Sequence, residues 1–565
     1  MIIIPQDKIA SYKARGWWGE TRLQDLFARN LARDPGAEAA VDPLNCEDLI
    51  GRAPQRLSWE ALDDLAERYA AVLTAHGIGK DDALVVQLPN LVDLPAIYLA
   101  CCRLGVIVSP TPVQYRENEL AFIAASIRAK GMVSAARIAG YAGTAAALQV
   151  KEEVASLEVV FSLGETVAGS VGLDAALTEV TPQMRDAATA AIEAAAITAD
   201  DIVTICWTSG TEARPKGVPR NHNEWLVMGE VVADAAELET GDRMLNPFPM
   251  VNMAGISTGF VAWLMTSGTL VQHHPFDLGL FLRQIQEEKV AYTVAPPAIL
   301  NMLLQNEALV DGVDFSHLRN IGSGSAPLSE WMVRGFKEKF GIEIANYFGS
   351  NEGAAFPSTY HDFPDPAQRA AFFPRFDPRF TWKAVLHDRC ETRLVDPATE
   401  QPVTEPGVPG ELRMKGPSVF AGYWENPEAT ARVFDAEGWF RTGDMFEIAG
   451  DKDQFYRFVG RCKDIIIRGG QNISSEEIEG YLLAHPAVAD VAIVGEPDEK
   501  LGERLCAFVV FKPGQCASKD ELNGFLREEK HVAVFKQIER LEEKEQLPRN
   551  PVGKLLKREL RAEFA

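Results

Sequence analysis

The chain is predicted to be an α/β protein in three parts: a large N-terminal domain of helix-covered, mostly parallel sheets, a β-rich subdomain within it, and a small, mobile α+β C-terminal domain. Three observations predict this. Apolar, β-branched strands alternate with amphipathic helices through the first half of the chain, the pattern of a parallel sheet covered by helices. From about residue 380 the strands become short, polar and punctuated by Gly and Pro, as in an antiparallel sheet. The last hundred or so residues mix strands and helices in a unit large enough to fold alone. With 565 residues, more than one core is expected. The expected division is 1–462, with the β-rich part at 379–462, and 463–565.

The elements follow from local pattern. Thr21 to Arg33 has the apolar spacing of an amphipathic helix, and Ser58 is a plausible N-cap for a second helix that carries apolar residues from Ala61 to Leu73. Asp82 to Leu88 and Gly105 to Ser109 are apolar strands flanking a helix from Asp93 to Arg103. The Ala-rich stretches 139–147 and 186–196 are helices or linkers rather than repeats. Asp201 to Trp207 is a buried strand, and Asn221 to Ala236 reads as the helix that follows it. Strands are expected at Arg243, at Thr269–Gln272, from Val290 to Val294, at Leu318 and at Glu343, with a helix over 278–288. Further on, Cys462 to Ile473 reads as a hairpin turning at Gly469 and Gly470. A helix from Ser475 to Ala484, strands over 488–494 and 505–511, and a helix over 519–529 complete the chain.

Composition excludes several classes. The apolar fraction of 47% and charged fraction of 24% are those of a globular protein. A net charge of −24 argues against nucleic acid as a partner. The eight cysteines form no C-x-x-C pair, which fits a reduced compartment and neither a zinc site nor a disulfide frame. No run approaches the roughly 18 apolar residues of a membrane span, and the N-terminus lacks a signal-peptide core. A cytoplasmic location is expected.

Chemistry concentrates at three strand ends. Thr208-Ser-Gly-Thr-Glu-Ala-Arg-Pro-Lys-Gly217 joins a strand to a helix through a glycine- and hydroxyl-rich turn. Such a turn lets backbone N–H groups and a helix N-terminus face an anion, with Lys216 as a mobile cation. It is not a Walker A loop, since Gly217 and Val218 follow the lysine where Ser or Thr would hold magnesium. On these residues alone an ordinary surface turn is also compatible. Gly322-Ser-Gly-Ser-Ala-Pro-Leu328 and Asn346-Tyr-Phe-Gly-Ser-Asn-Glu352 end two further strands in small polar turns. Ligands of open parallel sheets bind outside the carboxyl ends of strands, so one shared pocket is expected.

Taken together and in this order, these stretches, with Trp439-Phe-Arg-Thr-Gly-Asp444, Gly460-Arg-Cys-Lys-Asp464 and Pro548-Arg-Asn-Pro-Val-Gly-Lys-Leu555, resemble the adenylate-forming superfamily of acyl- and aryl-CoA synthetases, peptide-synthetase adenylation domains and luciferases. The likeness covers nearly the whole chain. It implies a phosphate loop at Thr208, Ser209, Gly210, Thr211 and Lys216, although Glu212 and Ala213 stand where the family has Thr and Gly. It implies nucleotide contacts from Ser323, Gly324, Ser325, Asn346, Tyr347, Phe348, Gly349 and Asn351. Phe348 replaces the usual Tyr, and Asn351 replaces a Thr that usually touches the α-phosphate. Glu352 is the implied magnesium ligand, because a carboxylate beside a triphosphate is what that ion takes. Asp444 is the implied ribose ligand, accepting from both hydroxyls of a vicinal diol, with Arg461 beside it. Lys554 is the implied catalytic cation between the acid and the α-phosphate, where negative charge builds up in the transition state. Lys463 would be the hinge, and Gly469 and Gly470 would border the thiol's path.

The implied reaction is a two-step ligation. ATP and a carboxylic acid give acyl-AMP and pyrophosphate, then CoA takes the acyl group. His222, Asn252, Met253, Ile256 and Gly324 are expected to wall the acid pocket. Met253 stands where relatives that use dihydroxybenzoate carry an amide, so an apolar acid (medium-chain, alicyclic or aryl) is favoured. Expected ligands are ATP, Mg2+ and CoA; a separate acyl carrier protein is the alternative acceptor, and a homodimer is compatible with the sequence. Two other readings are a luciferase-like oxygenase using the same adenylate and a non-catalytic nucleotide binder.

Overall fold

A computed structural model describes residues 1–208, 215–468, 471–498, 500–530, 532, 534–550 and 553–564. The calls on Ser209, Gly210, Thr211, Glu212, Ala213, Gly469 and Gly470 lie outside the described residues.

Two large sheets build the N-terminal part. The first has strand order 171–172, 159–163, 131–135, 83–87, 107–110, 202–208, 216–221, parallel throughout except for the last pair. The second has order 355–358, 343–349, 320–324, 292–294, 243–246, 269–272, 38–41, 56–58, parallel in its interior with an antiparallel strand at each edge. The helix Asp93–Leu104 is buried at every position but Arg103, and His222–Ala235 is buried along most of its length. A helix buried on all sides must be apolar all round, which explains why Ala96 to Cys102 read as a continuous apolar run. One apolar core joins both sheets and these helices; at its centre Trp59 stacks on Trp263 at 4.8 Å.

The expected helices and strands are present with small changes of boundary. Ser58 Oγ accepts from the Ala61 N–H as the N-cap of Trp59–Ala75, and Ser474 caps Ser475–Leu483 by accepting from the Glu477 N–H. One expectation fails. No helix begins directly after the Thr208 turn: Lys216–Asn221 returns as a strand antiparallel to Ile202–Thr208, and the helix starts at His222 with Asn221 as its cap. The described ends of the stretch, Thr208 and Lys216, are therefore paired across an antiparallel ladder, and the helix N-terminus at His222 lies beyond the second strand.

The β-rich part is a six-stranded antiparallel sheet in the order 372–374, 455–461, 440–449, 410–415, 391–395, 402–403. The C-terminal part has a sheet of its own. Strands 488–498 and 502–511 form a long hairpin, 465–468 pairs with 471–474, and 540–543 joins parallel to 502–511. Helices 475–483 and 519–528 pack on this sheet over a separate core of Ile478, Leu482, Ile493, Leu505 and Leu522. Among the described residues no helix is long and apolar enough to cross a membrane.

Candidate active site

The carboxyl ends of strands 202–208, 320–324 and 343–349 converge, and one side chain ties the two large sheets together there. Asn351 Oδ1 accepts from the Met253 N–H at 2.7 Å, and its Nδ2 donates to the Trp207 carbonyl at 3.4 Å. Asn351 thus spends both ends of its amide inside the protein, which differs from the expected phosphate contact. Its backbone carbonyl accepts from Arg220 Nε at 3.1 Å and Nη2 at 2.6 Å, while Arg220 Nη1 donates to the Ser418 carbonyl at 2.6 Å. Arg220 is fully buried. Its five donors in a rigid fork suit several carbonyls at once, and burial lowers its pKa against the pull of Glu224. Gly353 is where this packing is tightest: φ is +97°, and a Cβ there would lie 1.8 Å from the Ser418 oxygen, so no other residue fits.

This latch sets the position of Glu352. Its carboxylate accepts from the Tyr423 hydroxyl at 2.8 Å, and its backbone carbonyl accepts from the Phe420 N–H at 2.9 Å. The Lys216 ammonium lies 5.0 Å above the Tyr423 ring, within range of a cation–π contact. The Trp424 N–H donates to the Gly217 carbonyl at 2.9 Å. Lys216, Tyr423 and Glu352 therefore form one cluster at the base of the hairpin. Thr208 Oγ1 and Ser350 Oγ are buried with no hydrogen-bond partner among the described residues. Buried hydroxyls are normally paired, and two orphans at this place suit an anion with many acceptor oxygens. A single carboxylate next to them also suits Mg2+, which binds through one or two carboxylates plus substrate phosphates. Among the described residues no cluster of three or more His, Cys, Asp or Glu is placed to hold a metal by protein alone.

Asp444 and Arg461 face each other across adjacent strands, with Nε 3.7 Å from Oδ1. Burial pushes the Asp444 carboxyl up to about 6, opposed by the charges of Arg461 and Lys554 and assisted by Glu476 and Glu352. Lys554 stands in a tight loop: its N–H donates to Asn550 Oδ1 at 2.8 Å and its carbonyl accepts from the Asn550 N–H at 2.9 Å. The side chain is reached by water, yet protein on several sides displaces bulk solvent. That loss of solvation pushes its pKa down to about 8, aided by Arg461 and Lys463 and resisted by Asp444 and Glu352. The same charges thus act on Lys554 and Asp444, although they are 110 positions apart in the chain. Lys463 is lowered by burial as well, with Asp464 opposing.

Other expected ligand residues are placed differently. Asn346 is buried and donates to the carbonyls of Arg369 and Ala370, each at 3.2 Å. Ser323 is buried and donates to the Ala295 carbonyl at 2.8 Å. Both support the backbone rather than offer a side chain to a nucleotide. Tyr347 points to the opposite face from Asn346, as alternation requires. Its ring covers Gly322, and its hydroxyl lies 3.4 Å from that of Tyr292. A Cβ on Gly324 would lie 2.2 Å from the Tyr347 carbonyl, and Ser325 takes a left-handed φ of +69°. Phe348 packs edge-on against Phe446 at 5.1 Å in an aromatic cluster with Phe356, Phe373 and Phe458. Gly349 ends the strand.

On the acid side, Asn252 Oδ1 caps the Gly255 N–H at 3.1 Å, Met253 and Ile256 are buried, and Ile256 opens a single π-helical turn. Such turns are frequent at functional sites. His222 departs from expectation. It is fully buried, and its Nδ1 accepts from the Leu23 N–H at 3.2 Å. Burial, then Arg22, push its pKa down to about 3. It is a neutral packing residue between the N-terminal segment and the helix. Arg220 and Tyr423, which contact Asn351 and Glu352, were not singled out by the sequence reading.

The chain resembles known proteins along nearly its whole length. The family model described as AMP-binding enzyme matches residues 27–424, and that described as AMP-binding enzyme C-terminal domain matches 477–554. The chain is 29% identical over 561 residues to the medium-chain fatty-acid–CoA ligase of Escherichia coli, covering 99% of this chain and 93% of that protein. It is 30% identical over 561 residues to the 2-hydroxy-7-methoxy-5-methyl-1-naphthoate–CoA ligase of Streptomyces carzinostaticus, covering 99% and 96%. Among solved structures, ATP-bound MatB from Rhodopseudomonas palustris superposes with a TM-score of 0.77 at 26% identity, over 96% of this chain and 99% of that one.

Proposed function

The chain belongs to the AMP-binding enzyme family, and on that premise we propose that it is an AMP-forming acid–CoA ligase for an apolar carboxylic acid. The observation that carries the reading is the family match over both parts of the chain, 27–424 and 477–554, which spans Glu352, held by Tyr423, and Lys554. Such a site can join a carboxylate to an α-phosphate. Asp444 accepts from the ribose hydroxyls. Lys216 and the hydroxyl of Thr208 face the phosphates. Lys554 brings two anions together and stabilises the charge that grows as the acid oxygen attacks phosphorus, an interaction strongest in the transition state. Glu352, oriented by Tyr423, would hold Mg2+, which supplies charge neutralisation on the leaving pyrophosphate. The acyl-AMP then reacts with the thiol of CoA to give the thioester and AMP.

Domain alternation fits this division. Lys463 lies between Arg461, which faces Asp444, and Asp464, whose carboxylate accepts from Arg561 of the C-terminal helix at 2.7 Å. Rotation there would carry Lys554 out of the site after adenylation. An apolar acid is supported by the buried Met253 and Ile256 beside the cap of Asn252, and by the medium-chain and naphthoate ligases among the relatives. A cytoplasmic location accompanies the reading.

The test is ATP–pyrophosphate exchange over a panel of acids (octanoate, cyclohexanecarboxylate, benzoate and malonate), followed by product analysis with CoA. Exchange with an apolar member and formation of its CoA thioester are expected. Exchange without thioester formation from CoA would move the acceptor to a carrier protein. Exchange with malonate alone would overturn the apolar pocket.

A further inference from the structure

The family match begins at residue 27, yet the segment before it reaches the nucleotide half of the site. Residues 6–14 form a helix, and three side chains of this segment donate to backbone carbonyls of one short stretch, 416–419. Tyr12 Oη donates to the Gly416 carbonyl at 3.1 Å, Trp18 Nε1 to Pro417 at 3.1 Å, and Lys8 Nζ to Val419 at 3.5 Å. Trp18 is buried, and its ring meets Tyr12 edge-on at 5.0 Å. These donors serve a stretch with no regular secondary structure, whose carbonyls need partners from elsewhere.

The same stretch holds Glu352 from behind. Ser418 accepts from Arg220 through its carbonyl and donates to the Gly353 carbonyl through Oγ at 2.9 Å. Phe420 donates to the Glu352 carbonyl, and Tyr423, three residues on, donates to the Glu352 carboxylate. Among the described residues, the hydrogen bonds that Glu352 accepts thus come from Phe420 and Tyr423, in the segment that continues from the stretch tied to residues 8–18.

We propose that residues 6–18 are a strap that positions the ATP-binding half of the site, with Tyr12 and Trp18 as positioning residues acting on Glu352 through 416–423. This rests on the reading that Glu352 and Lys216 face the triphosphate. The test is calorimetric binding of α,β-methylene-ATP with Mg2+, which needs no acid and no turnover, to the full-length chain. Tyr12→Phe removes one oxygen and keeps the ring, so it should fold. It is expected to weaken binding about threefold and to raise the half-saturating Mg2+ concentration by a similar factor. Tyr12→Phe with Trp18→Phe should weaken binding roughly tenfold. Arg15→Ala, on the exposed side of the same segment, should bind as the parent does. Lower melting temperature with unchanged nucleotide and Mg2+ affinity in Tyr12→Phe and the double variant would overturn the strap. An equal loss in Arg15→Ala would overturn it too. If the parent chain itself fails to bind the analogue, the ATP reading falls and the strap with it; parent binding with unaffected variants sinks the strap alone.

Discussion

The lowered pKa of Lys554 makes adenylation sensitive to alkaline pH, with a sign and size that follow from the site. A lysine at its ordinary pKa stays charged well beyond pH 9. Here partial loss of solvation, Arg461 and Lys463 bring the value to about 8, so the ammonium is present below pH 8 and lost above it. The charged fraction falls from about nine-tenths at pH 7 to about one-tenth at pH 9, a loss of about tenfold, and tenfold more per further unit. The assay is kcat/KM for ATP in pyrophosphate exchange between pH 6.5 and 10, since kcat/KM reports groups of the free enzyme. Lys554→Arg should abolish the alkaline limb, because a guanidinium stays charged throughout, although at a lower plateau. Lys463→Met should move the limb to higher pH by removing one of the neighbouring cations. A parent profile that is flat to pH 10, or a limb that survives in Lys554→Arg, would refute the assignment.

Two other perturbations have clear directions. Burial holds the Asp444 carboxyl up to about 6, so it is charged above that pH and neutral below. ATP affinity should therefore be constant above pH 7 and fall about tenfold per unit below pH 6; Asp444→Asn should bind ATP about 10- to 100-fold more weakly at pH 7.5 and lose this dependence, as calorimetry across pH will register. Arg220→Lys replaces a fork that reaches the carbonyls of Asn351 and Ser418 by a single ammonium. At least one buried carbonyl loses its partner, at a cost of about 1–3 kcal/mol. A lower melting temperature and a raised KM for ATP are expected together, and an unchanged KM for ATP would separate Arg220 from the site.

Most of the fold was legible because periodicity reports burial directly. The strand Thr269–Gln272 is where its pattern places it, and the cap Ser58 was readable from residue type. The hairpin return Lys216–Asn221 was not, since Pro219 argues against a strand. It is tolerated because this strand lies at the edge of its sheet, paired on one side. For the candidate site, Lys554, Asp444 and Glu352 were picked out because each sits in a contiguous motif. The directions of Asn346 and Ser323 were beyond a motif, since a strand sends successive side chains to opposite faces and one position decides between ligand and support. Arg220 and Tyr423 act over separations of 131 and 71 residues, and Tyr12 and Trp18 over 404 and 399. No local pattern carries contacts of that range.

The most direct test of a lysine that serves one half-reaction and leaves for the other is Lys554→Ala measured on both. The variant should form acyl-AMP from ATP and the preferred acid at least a hundredfold more slowly, a loss of about 2.7 kcal/mol or more of transition-state stabilisation. Given chemically prepared acyl-AMP and CoA, it should make thioester at close to the parent rate. Equal loss in both half-reactions, or undiminished adenylation, would contradict the assignment of Lys554 and the alternation built on it.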